Sequence, residues 1–306
     1  MAEYLPEISD TIVEFDLGSL RRLPVKKEAL LASWRERGVS TAVGVVERLP
    51  EVDGDLDPAA VDSLLVRCHC EMQRISEEFQ HGPRVCEALA SIVGALRDAG
   101  RPRPLRIVDV GCGTGFVVRW LTAFGGLGDD VEVIGVDFNQ ALVDEARRLA
   151  EAEGLACDFR VANAFALDEP ASIFTSTGVM HHFRGDSLVD FMRLHDRPEV
   201  DAFVHFDFYR SAMTPLGSWL FHAVRMREPL ARHDGVLSAV RAHPAPFLIE
   251  SARAGAPSFQ STIYGTQLWG LPIPRVFHML AGVRPEIAPS FERRFARRAR
   301  ELGRLT

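Results

Sequence analysis

The sequence predicts an α/β chain in which a doubly wound, mostly parallel sheet follows a helical N-terminal region and precedes a helix-rich C-terminal one. Three observations predict it. Short β-branched runs alternate with amphipathic stretches between about residues 101 and 208, as in a parallel sheet covered by helices. Three glycines at alternate positions, Gly111, Gly113 and Gly115, fall between the first such run and the helical stretch after it. On both sides of this region, apolar residues recur at spacings of three and four, the signature of one buried helix face.

Taken in order, residues 1–100 carry helices over Lys26–Arg37, Pro58–Gln80 and Arg84–Ala99. Gly100-Arg-Pro-Arg-Pro104 ends that region, because two prolines fix φ and remove amide donors. Residues 101–208 open with strand Leu105–Val110, the glycine loop and a helix over Phe116–Phe124. Strand Val131–Val136 and helix Gln140–Glu153 repeat the alternation. Cys157–Val161, Ser172–Ser176 and Val200–Phe206 supply three more strands, with a helix over Asp186–Leu194 before the last. Strands joined by helical crossovers lie parallel, which makes the sheet doubly wound. Residues 209–306 are helical over Pro215–Arg241 and Phe247–Ala254. Ser258–Tyr264 and Val276–Val283 fit an antiparallel pair that closes the sheet, although Phe277–Leu280 suits a helix equally well. Phe291–Arg300 is a basic amphipathic helix expected to face solvent or a second subunit, and a homodimer stays open.

The 306 residues are 47% hydrophobic and 25% charged, a soluble globular composition. Thirty-five Lys and Arg against 42 Asp and Glu give a net charge of −7, which argues against a nucleic-acid binder with its basic surface. No window reaches the roughly 18 uncharged apolar residues of a membrane span. The start, Met1–Asp10, is acidic and broken by Pro6, unlike a signal peptide, so a cytoplasmic location is expected. Five cysteines, an odd number, do not form a disulfide framework. Cys68-His69-Cys70 lacks the second ligand pair of a zinc site, and no metal is expected.

The chemistry concentrates in Val108-Asp109-Val110-Gly111-Cys112-Gly113-Thr114-Gly115-Phe116. Glycines after a strand allow a tight turn and close backbone approach to a ligand, and the helix start presents free N–H groups. The next strand ends in Gly135-Val-Asp137, placing a carboxylate at the neighbouring strand tip, where doubly wound folds bind ligands and where it accepts from two ribose hydroxyls. The dinucleotide fingerprint requires glycine or alanine at 116, and this chain has Phe116; the spacing suits S-adenosylmethionine better than a nicotinamide cofactor.

These residues resemble a known family. Asp109-Val-Gly-Cys-Gly-Thr-Gly115 is similar to the first motif of class I S-adenosylmethionine-dependent methyltransferases, and Gly135-Val-Asp137 to their ribose-binding acid. Thr175-Ser-Thr-Gly-Val-Met-His-His-Phe183 resembles the fourth-strand motif of the ubiquinone-biosynthesis-like small-molecule branch. The resemblance implies a Rossmann-like core with an N-terminal lid and a C-terminal substrate region. It also implies metal-independent in-line methyl transfer to a small molecule of specialised metabolism, with S-adenosylhomocysteine as product. Asp109, Gly111, Cys112, Gly113, Gly115, Asp137 and Phe138 would line the cofactor, with Asn163, Ala164 and Phe165 at the adenine. Asn163 stands where the family commonly has Asp, and an amide oxygen still accepts a hydrogen bond. Ser176 and Thr177 at the fourth strand, and Arg74 from the lid, complete the expected cofactor set.

His181 and His182 are the candidate general bases, since the fourth strand tip faces the methyl group in this family and histidine titrates in the right range. Asp207, after the fifth strand, is expected beside the acceptor. On the substrate side, Arg225, His233 and Arg241 suit an acidic group, and Tyr264, with Trp219 and Trp269, an aromatic pocket. Two rival readings keep the glycine loop: a non-catalytic S-adenosylmethionine-binding subunit or sensor, and a non-methylating enzyme that uses S-adenosylmethionine on the same fold.

Overall fold

The computed structural model describes residues 5–16, 18–266 and 276–305. Trp269 lies outside them. The N-terminal region folds as helices α1 (Lys27–Glu36), α2 (Ser40–Arg48), α3 (Pro58–Glu78) and α4 (His81–Asp98). Asp57 caps α3, its side chain accepting from the Ala59 amide at 3.0 Å, and Pro58 follows at the first helical position, where a missing N–H costs nothing. The apolar faces of α1–α3 close over Ile8, Ile12 and Trp34 and take in Met226 and Leu230 from the C-terminal region. One cluster thereby joins the first region to the third.

The core alternates β1 (Leu105–Val110), α5 (Phe116–Phe124), β2 (Val131–Asp137), α6 (Gln140–Ala152), β3 (Asp158–Val161), β4 (Ile173–Thr177), α7 (Asp186–Arg193) and β5 (Ala202–Phe208). The third region adds α8 (Thr214–Arg225), α9 (Pro229–Arg241), α10 (Ala245–Gly255), β6 (Gln260–Thr266), β7 (Phe277–Val283), α11 (Ala288–Leu302) and β8 (Arg304–Leu305). The eight strands form one sheet in the order β8-β6-β7-β5-β4-β1-β2-β3. The first five are parallel, while β7 runs antiparallel to β5 and β6 antiparallel to β7. Chain order reverses between β1 and β4, which makes the crevice above their tips the ligand-binding switch point of the fold.

The residues explain the layers. On one face, β1, β4 and β5 turn Ile107, Ile173 and Val204 towards α4 and α11; on the other, Val108, Phe174 and Phe203 meet α7 and α10. The helix-rich stretch Pro215–Arg241 forms two helices, because Pro229 disfavours helical backbone in the residue before it. Gly235 then lets α9 press onto α8, since a Cβ there would overlap the His222 ring. Phe277–Leu280 is strand: all seven residues of β7 are buried between β6 and β5, leaving no polar helix face. Among the described residues no helix is long and apolar enough to cross a membrane.

Candidate active site

Two groups of residues meet at the C-terminal tips of the central strands. The first surrounds the glycine loop between β1 and α5. Gly111, Gly113 and Gly115 have φ of +68°, +54° and +75°, backbone that side chains disfavour. A Cβ on Gly111 would stand 2.7 Å from Val179, and one on Gly113 3.1 Å from the His69 ring of α3. The loop therefore has room for backbone only. His69, anchored through Nδ1 to the Leu65 carbonyl at 2.9 Å, brings α3 against the loop.

Asp137 closes the other side of this loop. Its Oδ2 accepts from the Gly113 amide at 3.0 Å and its Oδ1 from the Asn139 amide at 2.9 Å. Asp109 is 2% exposed, and its Oδ1 has no hydrogen-bond partner among the described residues. Burial, followed by the charge of Asp137, pushes the Asp109 carboxyl up to about 8. Thr177 Oγ1 at the tip of β4 is likewise buried and without a partner among the described residues. Positive-φ glycines, a strand-tip carboxylate and unsatisfied buried oxygens fit a polar, hydroxyl-rich nucleoside. Phe138, exposed beside Asp137, stacks edge-on against Phe15 of the N-terminal segment at 5.2 Å. Asn163 Oδ1 accepts from the Phe165 amide at 2.9 Å, fixing the turn that carries Ala164 and Phe165. Cys112 is part-buried in the loop, its thiol raised well above the ordinary range by burial and by the carboxylates of Asp137 and Asp109.

The second group is built on β4, β5 and α9. After β4 a single tight turn, Met180–His182, sets two imidazoles side by side with centroids 4.3 Å apart. Asp207 from β5 holds the inner one: its Oδ2 accepts from the His181 amide and its Oδ1 from His181 Nδ1, both at 2.8 Å. The Phe208 amide donates to Oδ1 as well, at 2.7 Å. Burial alone would lower the His181 pKa, but the Asp207 charge and hydrogen bond outweigh it and the net shift is upward. Asp207 is held well below the usual carboxylate range; burial opposes this, and the His181 charge overcomes it. With Nδ1 committed to Asp207, Nε2 is the basic atom, the arrangement of an oriented general base.

Several expected site residues stand elsewhere. Ser176 points to the opposite face of β4 from Thr177 and hydrogen-bonds His205 Nδ1 in the interior at 2.8 Å, since side chains alternate along a strand. Arg74 donates to the Arg225 carbonyl at 2.6 Å, and Arg225 pairs with Glu78; both tie α3 to α8 rather than line a ligand. Tyr264 is 2% exposed and packs edge-on against Phe295 of α11, inside the core. Trp219 is exposed on α8. His233 bonds Asp234 Oδ1 at 2.8 Å, next to Trp34. Arg241 is buried, its Nη1 paired with Glu7 at 3.0 Å and Asp10 at 3.1 Å. It faces the histidine pair across Glu7, a residue that sequence reasoning missed. The only signal was the acidic spacing Glu7-Ile-Ser-Asp10, which no helix or strand pattern singles out.

Comparison with known proteins finds likeness over the region that carries the glycine loop. Residues 107–197 match the family described as a methyltransferase domain. The match supports a methyltransferase domain of the S-adenosylmethionine-dependent class over that stretch. The ubiquinone biosynthesis O-methyltransferase of Methylocella silvestris is 35% identical over 92 residues, 29% of this chain and 34% of that protein. The demethylmenaquinone methyltransferase of Thermus thermophilus is 37% identical over 81 residues, 26% of this chain and 36% of that protein. The chain thus spans about a third of the length of the curated relatives it matches. Among solved structures, the plantazolicin methyltransferase BpumL with a monoazolic desmethylPZN analog and SAH aligns at TM-score 0.51 and 12% identity, covering 90% of this chain and 99% of that one. At that identity the likeness is one of fold.

Proposed function

We propose that this protein transfers a methyl group from S-adenosylmethionine to a small-molecule acceptor that gives up a proton, a hydroxyl foremost, without a metal in the chemical step. The observation that carries the reading is the placement of the His181–Asp207 pair at the tips of β4 and β5, beside the glycine loop and Asp137 at the tips of β1 and β2. When bound, the cofactor supplies an electrophilic methyl group. The glycine loop, Asp109, Asp137, Asn163 and Thr177 would hold it, and the helix start at Phe116 offers amide donors to its polar end. His181 Nε2 takes the acceptor proton, Asp207 fixes the ring and steadies the imidazolium, and the N-terminal helices keep water out. The names of the relatives, quinone-pathway methyltransferases, support a small organic acceptor, and a natural-product scaffold is the class we favour.

Calorimetric titration with S-adenosylmethionine, S-adenosylhomocysteine and NADH tests the cofactor. Binding of the first two and not the third is expected; binding of NADH alone would refute the reading. His181→Ala and His182→Ala are then assayed with an accepted substrate. Loss of turnover in His181→Ala with intact cofactor binding supports the base, and unchanged turnover removes it.

A further inference from the structure

The segment Leu5–Asp10 lies along α9, where polar anchors hold it. The Ile8 and Ser9 amides donate to the two oxygens of Asp234 at 2.8 and 2.9 Å. Arg241 donates through Nη2 to the Leu5 carbonyl and through Nη1 to Asp10 Oδ2, both at 3.1 Å. Ile8 and Ile12 are fully buried against the N-terminal helices. This strap carries Glu7 to a position only 3% exposed. Glu7 Oε1 accepts from Ser238 Oγ at 2.9 Å and pairs with Arg241 Nη1 at 3.0 Å. Its Oε2 stands 3.7 Å from His182 Nδ1, beyond hydrogen-bond length but well within reach of charge. Glu7 Oε, one ring nitrogen of His181 and one of His182 all lie within 4.8 Å of one another. A carboxylate is expensive to bury, so the strap's other contacts must offset that cost.

We propose that Glu7 is a positioning residue for the base: docking of the strap sets its carboxylate opposite Asp207, across the His181–His182 pair, so that closing the site and strengthening the base are one event. The proposal rests on the reading of His181 as the group that takes the acceptor proton. In that step the proton moves to His181 Nε2 and its electron pair stays on the acceptor atom. The resulting imidazolium then has Asp207 on its Nδ1 side and Glu7 on the strap side. With the strap undocked, His181 keeps Asp207 alone.

The sign of the effect is set by the groups that face the rings. These are Asp207 from β5, Glu7 and Asp10 from the strap, Arg241 from α9 and His69 from α3, with His278 of β7 acting on Asp207. His243 turns its Nε2 to the carbonyls of Met180 and Phe183. Glu7 raises the proton affinity of His181 and Arg241 lowers it. Neutralising Glu7 removes the first and leaves the second less compensated, so both changes act in the same direction. Glu7 itself is pushed up to about 7, by burial first, against the opposing charge of His181. It is therefore ionised above neutral pH, and there its effect is largest.

The test is an imidazole proton NMR titration of the full chain and its variants, followed by the pH profile of kcat. In Glu7→Gln the His181 midpoint and the acid limb of kcat are expected to move down by about one pH unit, with cofactor affinity unchanged. Glu7→Asp, which keeps the charge, returns most of the shift. Asp234→Ala frees the strap without altering a group that faces the rings; it reproduces the shift, with faster exchange of the Ile8 and Ser9 amides, and serves where Glu7→Gln does not fold. An unmoved His181 midpoint in a folded Glu7→Gln protein, or in an Asp234→Ala protein whose Ile8 and Ser9 amides exchange faster, overturns the proposal. The titration needs no acceptor, so it separates this failure from failure of the base reading, which His181→Ala turnover decides.

Discussion

Replacing Asp207 with Asn removes a charge while keeping shape, which makes Asp207→Asn the sharpest probe of the site. In the native protein the two carboxylate oxygens receive three N–H donors, from the His181 backbone, His181 Nδ1 and Phe208. An amide offers one oxygen, so at least one donor must face an NH₂ group. Leaving a buried donor unsatisfied costs about 1–3 kcal/mol, and the lost attraction to His181 brings the total to about 2–4 kcal/mol. At a few degrees per kcal/mol, Tm should fall by about 5–10 °C. The gap has a defined pH window. The Asp207 contribution appears above its unfolded value near 4 and is lost as pH falls through its depressed folded value. The His181 contribution is complete below its unfolded value near 6.5 and is lost as pH rises through its raised folded value. Wild type and Asp207→Asn should therefore differ most between about pH 4 and 7, as read by calorimetric scans across pH. Turnover should fall by about 10²- to 10⁴-fold, the usual contribution of an oriented base, with S-adenosylmethionine affinity changed by no more than roughly threefold. Turnover near wild type alongside the expected loss of Tm would refute the catalytic assignment and leave Asp207 as a fold residue.

Three further predictions concern the cofactor crevice. Asp137→Ala deletes the acceptor of the Gly113 and Asn139 amides and of the expected ribose hydroxyls, so titration calorimetry should show S-adenosylmethionine affinity lowered about 100-fold; unchanged affinity would place the nucleoside elsewhere. Gly115→Ala puts a Cβ at φ +75° and into the Phe159 ring, costing about 2–5 kcal/mol in urea unfolding, and a cost under about 1 kcal/mol would contradict the loop geometry. Asp109 is raised to about 8 by burial and then by Asp137, so it takes up a proton on folding and costs stability as pH rises from its unfolded value near 4 towards 8. Asp109→Asn should thus raise the ligand-free Tm at pH 7 while weakening cofactor binding; a lower Tm would show that the carboxylate is ionised and paired.

The glycine-loop half of the candidate site was legible in the sequence because its signals are local. A strand, a glycine loop and a helix start are consecutive residues, and the very next strand in the chain ends at Asp137. Alternation sends Ser176 to the other face, an error that counting from Thr175 would have corrected. The acceptor half was legible only in part. His181 and Asp207 each follow a strand, but that β4 and β5 are neighbours, and hence that the two side chains bond, is a property of strand order. Arg241, His233 and Arg225 have the chemistry of anion-binding residues, and the structure gives each an internal partner: Glu7, Asp234 and Glu78. The partners of Arg241 and Arg225 lie far away in sequence, so no spacing rule links them. The physical consequence is clearest at Arg241. A buried guanidinium that pairs with Glu7 and Asp10 is poorly placed to bind an acidic substrate, but it is well placed to hold a carboxylate against two imidazoles. Its effect on the reaction is then exerted through the strap. Arg241→Lys, which keeps the charge but loses the planar fork that spans Leu5, Glu7 and Asp10, should loosen residues 5–10 in hydrogen exchange, whereas a direct role on substrate would leave the strap protected.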